Sequence, residues 1–527
     1  MGDKATLGDR VSALRLNPDA IERIEFPHSK EIVENTSNTK KSLQIYVHIT
    51  TNDGYIGLKQ AAEGLAIYGE ELRAETNENP SRHPGIARLE RIVQEDSRER
   101  VNIIRKNSAM PLPEHFKKSL PAILREFHTP WHILLQDPIE DNMDRLYSAF
   151  SWAPGFKNCF AVKAEDNDSI LKILRNKRSG ADCSSLSELI SAEKAGYEGS
   201  EMILTSNHTP LECYKKAIEL GAPINLDDRN EIQRLIRNFG VPEAICFRIN
   251  PGDPEGNDII GKQKEAQFGL TPSQIIGAYK EMRDEGVKIF GLHQMLVSNE
   301  RNPDCHIGNA KKLFVMAANI SKELGIKFEF INLGGGIGIP YKPEQLPVDL
   351  EYVGKGIKSA YEETLAANGL HPKIFMENGR MITGPYGYLV TTVSHVEHKH
   401  KDYVGLNSSP TASIMRIPMY TAHHHQIILG KENEPLDRIY DIVGPLCENV
   451  KFAINRPFPK IEIGDTHITY CTGAHGLVMG NNYNAWLKPG ELLVSERKQE
   501  CRMIRRPQTD DDYRATLNFR EKAIKLG

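Results

Sequence analysis

The chain has 527 residues, of which 39% are hydrophobic and 26% are charged, as is typical of a globular protein. Its 66 basic and 70 acidic side chains give a net charge of -4, which argues against a surface that binds nucleic acid. No stretch approaches the roughly 20 consecutive apolar residues that a membrane helix needs. The eight cysteines are far apart and include no CxxC pair. We therefore expect a cytoplasmic protein with no disulfide framework, no membrane partner and no metal site.

Residues 1–118 form an N-terminal extension of unknown role. Within it, SLQIYVHITTNDGYIGL predicts a hairpin around Asp53 and Gly54, and a charged segment from Arg73 to Arg105 predicts helices. The next segment, 119–139, contains FHTPWHILL, which predicts a strand that joins a later β domain.

Between residues 140 and 390 one pattern repeats: an apolar, β-branched run, a polar loop, an amphipathic helix and a glycine. Alternating strands and helices predict parallel pairing with right-handed crossovers. Eight such units favour a closed (β/α)8 barrel of roughly 250 residues, an α/β fold, over an open doubly wound sheet. The predicted strands lie in CFAVKA, GADCSS, EMILTS, APINLDD, AICFRIN, KIFGLHQML, FEFINLGGG and KIFMENGR. Residues 391–527 are rich in β-branched runs and predict a C-terminal all-β domain.

The strand ends of the predicted barrel carry unusual residues. Barrel enzymes place their chemistry at these C-terminal ends. Lys163 ends the first strand, Gly334–Gly336 follow the seventh, and Glu377 ends the eighth. An amine, a glycine loop that lets backbone N–H groups reach a phosphate, and a carboxylate together indicate pyridoxal phosphate. The alternatives are that Lys163 only lines the barrel mouth, that the three glycines form a flexible turn, and that Glu377 belongs to a surface ion pair.

Several motifs, in this order, resemble the fold-type-III pyridoxal phosphate decarboxylases, in the branch of diaminopimelate decarboxylase. They cover about residues 120 to 515 and are FAVKA, ADCSSLSEL, NLGGGIGIP, MENGR, GPLCEN and GAHG…NNYN. The resemblance implies that Lys163 holds the cofactor as a Schiff base and that Glu377 keeps its pyridine nitrogen protonated. It also implies that Gly334, Gly335, Gly336 and Ser298 bind its phosphate.

The same resemblance assigns residues of the second domain. It implies a homodimer with shared active sites, in which Cys447 and Glu448 reach the site of the partner subunit. Cys447 would protonate the α-carbon after carbon dioxide leaves, and Glu448 would bind the distal amine. Arg380, Arg416 and Tyr420 match the clamp on the distal carboxylate of diaminopimelate, for which paired guanidinium groups are suited. The alternatives are that Cys447 is a small core residue and that the three clamp residues are ordinary surface residues.

Two positions near the cofactor depart from the family pattern. GLHQMLVS places Met295 where the family commonly has a histidine stacked on the ring, and GAHG places His475 where it usually has a tyrosine. A thioether packs against an aromatic ring but carries no charge, whereas histidine titrates near neutral pH. We expect His293 to point to the opposite face and not to substitute for the missing histidine. These changes weaken the assignment of diaminopimelate as the substrate.

The sequence thus predicts a pyridoxal phosphate-dependent decarboxylase of a basic or diamino acid, diaminopimelate decarboxylase-like and active in lysine biosynthesis. We expect it to act at a D-configured α-carbon. D-Lysine or D-ornithine is the alternative substrate. A catalytically silent homologue that binds a partner, and an alanine-racemase-like activity, are the alternatives of other classes.

Overall fold

The computed structural model describes residues 21–25, 48–51, 54–56, 110–252, 256–257 and 261–518. The chain divides into two compact units, Met1–Met110 and Pro111–Gly527. In the first unit, strands β1 (Ile21–Glu25), β2 (His48–Thr51) and β3 (Gly54–Ile56) form an antiparallel sheet in that order. Thr51 pairs with Gly54, as expected for the predicted hairpin. The helices predicted between Arg73 and Arg105 lie outside the described residues.

A closed barrel of eight parallel strands forms most of the second unit, which confirms the predicted (β/α)8 architecture. Seven of the eight barrel strands fall within the apolar runs that predicted them. The first strand begins before its run, at Lys157, and ends at Ala161, so Lys163 follows the strand instead of ending it. After strand β4 (Trp131–Leu135), the chain forms β5 (Lys157–Ala161), β6 (Gly180–Cys183), β7 (Met202–Thr205), β8 (Ile224–Leu226), β9 (Ala244–Ile249), the short hairpin β10 (Gly256–Asn257) and β11 (Gly261–Lys262), then β12 (Ile289–Gln294), β13 (Phe328–Asn332) and β14 (Lys373–Met376). The barrel closes in the order β12, β13, β14, β5, β6, β7, β8, β9.

Amphipathic helices connect the strands because each has one apolar face to bury. Three helices end at a glycine with positive φ, Gly221 (69°), Gly240 (81°) and Gly325 (67°), as their sequences predicted. The helices are α1 (Glu114–Glu126), α2 (Gln136–Ala149), α3 (Asp168–Asn176), α4 (Leu186–Lys194), α5 (Leu211–Leu220), α6 (Asn230–Phe239), α7 (Pro272–Asp284), α8 (Pro303–Leu324) and α9 (Leu350–Thr364). Among the described helices, none is long and apolar enough to cross a bilayer.

The C-terminal part is the predicted all-β domain. It contains the short helices α10 (Arg380–Thr383), α11 (Pro410–Ser413), α12 (Arg416–Tyr420) and α13 (Asp510–Arg514). Its strands are β15 (Gly387–His398), β16 (Asp402–Leu406), β17 (Gln426–Ile428), β18 (Arg438–Val443), β19 (Lys451–Phe458), β20 (Thr466–Tyr470), β21 (Gly490–Ser495) and β22 (Glu500–Arg505). Their main path is β19, β18, β16, β15, β4, β21, β22, and β20 pairs with both β15 and β17.

Strand β4 is fully buried at the centre of this sheet, although it precedes the barrel in sequence. It pairs antiparallel with β15 and parallel with β21. The domain boundaries that we proposed at residues 118, 139 and 390 lie within α1, α2 and β15 respectively. The β domain therefore contains strands from both sides of the barrel sequence.

The β domain also anchors the chain that follows Lys163. The Asn167 amide donates to the buried Glu491 carboxylate of β21 at 2.8 Å, and Arg505 of β22 donates to the same carboxylate at 2.6 Å. Arg505 also pairs with Asp166. Because one carboxylate receives both donors, the loop after Lys163 is held at a fixed place against the sheet.

The buried His132 of β4 makes the fold sensitive to acid. Its Nε2–H donates to the Ser413 carbonyl at 2.9 Å, and burial lowers the pKa of His132 to about 4. Its folded-state pKa lies below the unfolded value near 6.5, so the unfolded chain takes up the proton first as the pH falls. Stability contributed by neutral His132 is thus lost between about pH 6.5 and pH 4.

We expect His132→Gln, which keeps the donor to Ser413 but cannot titrate, to lose less stability between pH 7 and pH 5 than the wild type. The difference should be about 2 kcal/mol, measured as the change in unfolding free energy in urea. The exposed His371→Gln serves as a control and should behave like the wild type. Equal losses in the His132 variant and the wild type would contradict this role.

Candidate active site

Four neighbouring strands of the barrel bring the predicted site residues to one end. In barrel order they are β12, β13, β14 and β5. His293 lies on β12 and Met295 follows it, Gly334–Gly336 follow β13, Glu377 follows β14, and Lys163 follows β5. The C-terminal ends of parallel strands meet at one mouth of a barrel. Residues separated by more than 200 positions in sequence are therefore neighbours here.

Lys163 lies in a single 3-10 turn, Val162–Ala164, directly after β5. Its side chain is half-exposed, and Nζ donates to Oδ2 of the fully buried Asp182 at 3.2 Å. Burial lowers the pKa of Lys163, but the carboxylates of Asp182, Glu377 and Glu188 outweigh burial and raise it above its usual value. The amine is therefore accessible from the barrel mouth, and its raised pKa keeps it protonated at neutral pH.

Glu377 is buried and held by two side chains from opposite sides. His293 Nε2 lies 3.2 Å from Oε2, and the Asn332 amide donates to Oε1 at 2.7 Å. Burial raises the pKa of Glu377, but His293, Lys163 and Asn332 together lower it below its usual value. A carboxylate that stays charged in a buried site can stabilise a proton on a ring nitrogen.

The expectation that His293 points to the opposite face from Met295 was wrong. His293 is fully buried inside the barrel, where Nδ1 lies 2.7 Å from the Asn225 amide and Nε2 contacts Glu377. Residues two positions apart lie on the same face of a strand, so positions 293 and 295 both face the interior. His293 therefore belongs to the site as the partner of Glu377.

The loop Gly334–Gly336 packs so tightly that only glycine fits. A Cβ atom would lie 2.2 Å from the Gln294 carbonyl oxygen at Gly334 and 2.4 Å from the Glu377 carbonyl oxygen at Gly335. Gly334 and Gly336 also have φ values of 71° and 94°, which disfavour other residues. The Gly335 N–H lies 3.3 Å from the thioether sulfur of Met295. Since a thioether is a weak acceptor, this N–H remains suited to bind an anion.

Arg380 and Arg416 both contact Tyr341. Arg380 Nη1 donates to the Tyr341 hydroxyl at 2.6 Å, and the Arg416 guanidinium lies 4.5 Å from the centre of the Tyr341 ring. Both arginines are buried, with 9% and 6% exposure, and no ion pair joins either of them to a carboxylate in the described part of the chain. Arg380 Nη2 also lies 3.3 Å from the Ser298 hydroxyl, and Tyr420 is half-exposed on α12.

Cys447 and Glu448 form a separate, exposed group on the β domain. The Tyr483 hydroxyl donates to Glu448 at 2.8 Å, and the two neighbours Glu448 and Cys447 raise the pKa of Tyr483 to about 12. Among the described residues, no hydrogen bond or ion pair joins this group to Lys163 or Glu377. Within one chain, the described contacts of Glu448 and Cys447 are thus with Tyr483 and not with these two residues of the mouth.

His475 approaches the mouth through its backbone. Its N–H donates to the Ala164 carbonyl at 2.9 Å, with a φ of 55°. Burial lowers the pKa of His475 well below its usual value, and the nearby cations of Arg380, Arg416 and Lys163 lower it further. The side chain is therefore neutral at pH 7, so it adds no charge to the site.

The arrangement fits pyridoxal phosphate. Lys163 offers an amine at the mouth, Gly335 offers a backbone N–H with only a thioether nearby, and Glu377 offers a charged carboxylate between them in the barrel order. These are the groups that hold the aldehyde carbon, the phosphate and the pyridine nitrogen. Among the described residues, no cluster of side chains has the composition of a metal site.

We expect Asp182→Asn to shift the pH dependence of cofactor capture toward lower pH. The neutral amine is the form that attacks an aldehyde. Asp182 raises the pKa of Lys163, so its removal leaves more neutral amine at a given pH. The rate at which apo-protein gains visible absorbance with pyridoxal phosphate, followed against pH, measures the shift. Asp168→Asn is the control, and an unchanged or raised midpoint for Asp182→Asn would contradict the assignment.

A family model described as "Pyridoxal-dependent decarboxylase, pyridoxal binding domain" matches residues 136–384. A second model, for an uncharacterized protein conserved in bacteria (DUF2322), matches residues 16–103. Protein TabA of Pseudomonas amygdali pv. tabaci is 35% identical over 416 residues, which cover 78% of this chain and 97% of TabA. The match therefore includes both the barrel and the β domain.

Diaminopimelate decarboxylases resemble the chain in sequence and in structure. The enzyme of Methanothermobacter thermautotrophicus is 29% identical over 406 residues, which cover 76% of this chain and 94% of that protein. The crystal structure of diaminopimelate decarboxylase from M. jannaschii in co-complex with L-lysine has a TM-score of 0.69 and 27% identity. It covers 75% of this chain and 93% of that chain.

Proposed function

Because the chain belongs to the fold-type-III pyridoxal phosphate-dependent decarboxylases, in the diaminopimelate decarboxylase-like branch, we propose that its substrate is meso-diaminopimelate. The chain is a pyridoxal phosphate-dependent carboxy-lyase that acts on a diamino acid. We place the reaction at the D-configured α-carbon. Loss of that carboxylate from meso-diaminopimelate leaves L-lysine, which would place the enzyme in lysine biosynthesis.

The observation that carries this proposal is the pair of buried arginines without a carboxylate partner. Arg380 and Arg416 contact Tyr341, Ser298 and His424, all of which are uncharged partners. Two buried positive charges are costly unless an anion neutralises them. A guanidinium group binds a carboxylate in a bidentate fork, so the distal carboxylate of diaminopimelate supplies the missing partner. Lysine and ornithine have no such group.

Different residues of the barrel mouth would bind the cofactor and orient the substrate. When bound, pyridoxal phosphate supplies an electron sink for the electron pair left at the α-carbon as carbon dioxide departs. Lys163 would hold the cofactor covalently through Nζ, and the N–H groups of Gly334–Gly336 would hold its phosphate. Glu377, kept charged by His293 and Asn332, would hold a proton at the pyridine nitrogen. Arg380 and Arg416 would orient the substrate through its distal carboxylate.

We further propose a homodimer in which Cys447 and Glu448 complete the partner's site. Both are exposed in the single chain, which supports a role across an interface. Cys447 would deliver the proton to the α-carbon, and Glu448 would bind the distal amine. An active enzyme that sediments as a monomer would exclude this arrangement. We also propose a reducing compartment, in which cysteines form no disulfides, as is the case for all eight in the described residues.

A specialised amino acid other than diaminopimelate is the second candidate, and Met295 and His475 favour it. Met295 occupies the position next to Gly335 with an uncharged thioether, and His475 is held by the turn that contains Lys163. Both change the shape and polarity around the cofactor site. D-Lysine and D-ornithine are the substrates that this pocket would then take.

The substrate is tested by carbon dioxide release from meso-diaminopimelate and from the D- and L-forms of lysine and ornithine. We expect meso-diaminopimelate to be preferred, and Arg416→Ala to raise its KM by about tenfold to a hundredfold, because charge-assisted hydrogen bonds are lost. The KM for D-lysine should change much less. Arg438→Ala, on an exposed strand end, is the matched control. Faster release from D-lysine or D-ornithine in the wild type would overturn the proposal, and release only from L-forms would overturn the stereochemistry.

A further inference from the structure

Arg416 is held by a side chain that the proposed function does not use. Nη1 of Arg416 lies 3.2 Å from Nε2 of His424, a residue that is 1% exposed. The other face of the guanidinium lies 4.5 Å from the centre of the Tyr341 ring. The His424 and Tyr341 rings meet edge to face with centroids 4.8 Å apart. His424 and Tyr341 therefore form one wall behind Arg416.

The hydrogen bonds of His424 determine which ring nitrogen carries the proton. Nδ1 lies 2.8 Å from the Tyr470 carbonyl oxygen. A carbonyl only accepts, so Nδ1 carries the hydrogen and Nε2 of the neutral ring presents its lone pair. Arg416 only donates, and its Nη1–H points to that lone pair. Burial lowers the pKa of His424 well below its usual value, and the charge of Arg416 lowers it further, which keeps the ring neutral.

The backbone around His424 is also fixed. The His425 N–H donates to the Tyr341 carbonyl at 3.1 Å, and the Tyr470 N–H donates to the His425 carbonyl at 2.9 Å. Arg456 donates to the His424 carbonyl. The segment that carries His424 is thus joined both to the loop of Tyr341 and to strand β20. A guanidinium bound to this ring is held at a defined position relative to the barrel mouth.

We propose that His424 is a positioning residue, which orients Arg416 toward the distal carboxylate of the substrate through a neutral acceptor. This inference rests on the proposed function. An aspartate or glutamate in its place would also hold Arg416, but it would neutralise the charge that the substrate needs. A neutral acceptor fixes the guanidinium and leaves its full charge for the ligand. Specificity for a second carboxylate thus depends on His424 as well as on the arginine.

The test compares two variants of the holoenzyme that separate the two hydrogen bonds. His424→Asn places an amide donor near Nδ1, so it keeps the bond to Tyr470 and loses the acceptor for Arg416. His424→Gln places an amide oxygen near Nε2 and restores that acceptor. We expect His424→Asn to raise the KM for meso-diaminopimelate about three- to tenfold with little change in kcat. His424→Gln should recover most of that loss.

Two comparisons exclude a merely structural role. The affinity for D-lysine, measured as a substrate or as a competitive inhibitor, should change less than twofold in His424→Asn. In an Arg416→Ala background, His424→Asn should have no further effect on the KM for meso-diaminopimelate. Equal losses for both amino acids, or an additional loss without Arg416, would overturn the inference.

The outcomes also separate this inference from the proposed function. If Arg416→Ala does not distinguish meso-diaminopimelate from D-lysine, the carboxylate clamp fails and the inference fails with it. If Arg416→Ala distinguishes them and His424→Asn does not, only the role of His424 is wrong.

Discussion

Replacing Lys163 with alanine is expected to remove both the visible absorbance of bound pyridoxal phosphate and the decarboxylase activity. The Lys163 amine lies at the barrel mouth next to Asp182 and is the group that would carry the cofactor covalently. Removal of a covalent catalytic group costs ~10³-fold or more in rate. Absorbance of the purified protein and carbon dioxide release measure the two losses. Borohydride reduction followed by peptide mapping should find the cofactor on Lys163 of the wild type.

Lys157→Ala is the matched control because Lys157 begins the same strand, β5, at the opposite end of the barrel. Its amine donates to the Ser200 carbonyl at 2.9 Å and takes no part in the mouth. We expect this variant to keep both absorbance and activity. Cofactor mapped to any other lysine would contradict the assignment of Lys163.

Glu377→Gln is expected to lower the decarboxylation rate by about 10²- to 10³-fold while cofactor remains bound. An amide cannot balance a positive charge on the pyridine nitrogen. His293 Nε2, 3.2 Å from Oε2, would also face an amide hydrogen instead of a carboxylate oxygen. The electron sink is therefore weakened although the shape of the site is kept. The rate of carbon dioxide release, together with the visible absorbance as a measure of occupancy, tests this prediction.

Glu188→Gln provides the comparison for Glu377. Glu188 is a second carboxylate that raises the pKa of Lys163, but its side chain accepts from the Ser184 N–H at 2.6 Å. It does not contact His293 or Asn332. We expect its loss to change the rate less than tenfold. Equal effects of the two variants would mean that Glu377 acts only through Lys163.

The barrel could be predicted from sequence because its signal is local. Each strand is a short apolar run and each helix has one apolar face, and the alternation of the two determines the topology. The topology then places Lys163 and Glu377 directly after two neighbouring strands, β5 and β14, although they are far apart in sequence. The same argument places the glycine loop at the mouth without reference to its contacts.

The partners of the site residues could not be predicted in the same way. Asp182, Asn332 and Tyr341 act through hydrogen bonds with residues 19 to 45 positions away in sequence, and His424 with a residue eight positions away. Buried polar side chains need partners, but the sequence alone does not show which ones. The position of His293 could have been predicted, because strand periodicity places it on the same face as Met295. The predicted domain boundaries at residues 118, 139 and 390 fall inside helices or a strand for a similar reason. Strand β4 pairs with strands more than 250 residues later, and the sequence alone does not show this pairing.

Met295 places an uncharged thioether beside the glycine loop. Its sulfur lies beside the Gly335 N–H, and because a thioether accepts only weakly, this donor remains available to an anion. The histidine at position 293 instead contacts Glu377. Glu377 thus has a histidine partner, whereas the glycine loop Gly334–Gly336 has only the weakly accepting thioether of Met295 beside it.

The central claim is that Arg380 and Arg416 bind the distal carboxylate of a diamino dicarboxylic acid. A crystal structure of the enzyme with pyridoxal phosphate and meso-diaminopimelate tests it most directly. We predict that both guanidinium groups lie within hydrogen-bond distance of the distal carboxylate. We also predict that Cys447 and Glu448 of a second copy lie at the same site. A distal carboxylate that faces solvent or another residue, with the two arginines still unpaired, would contradict the account.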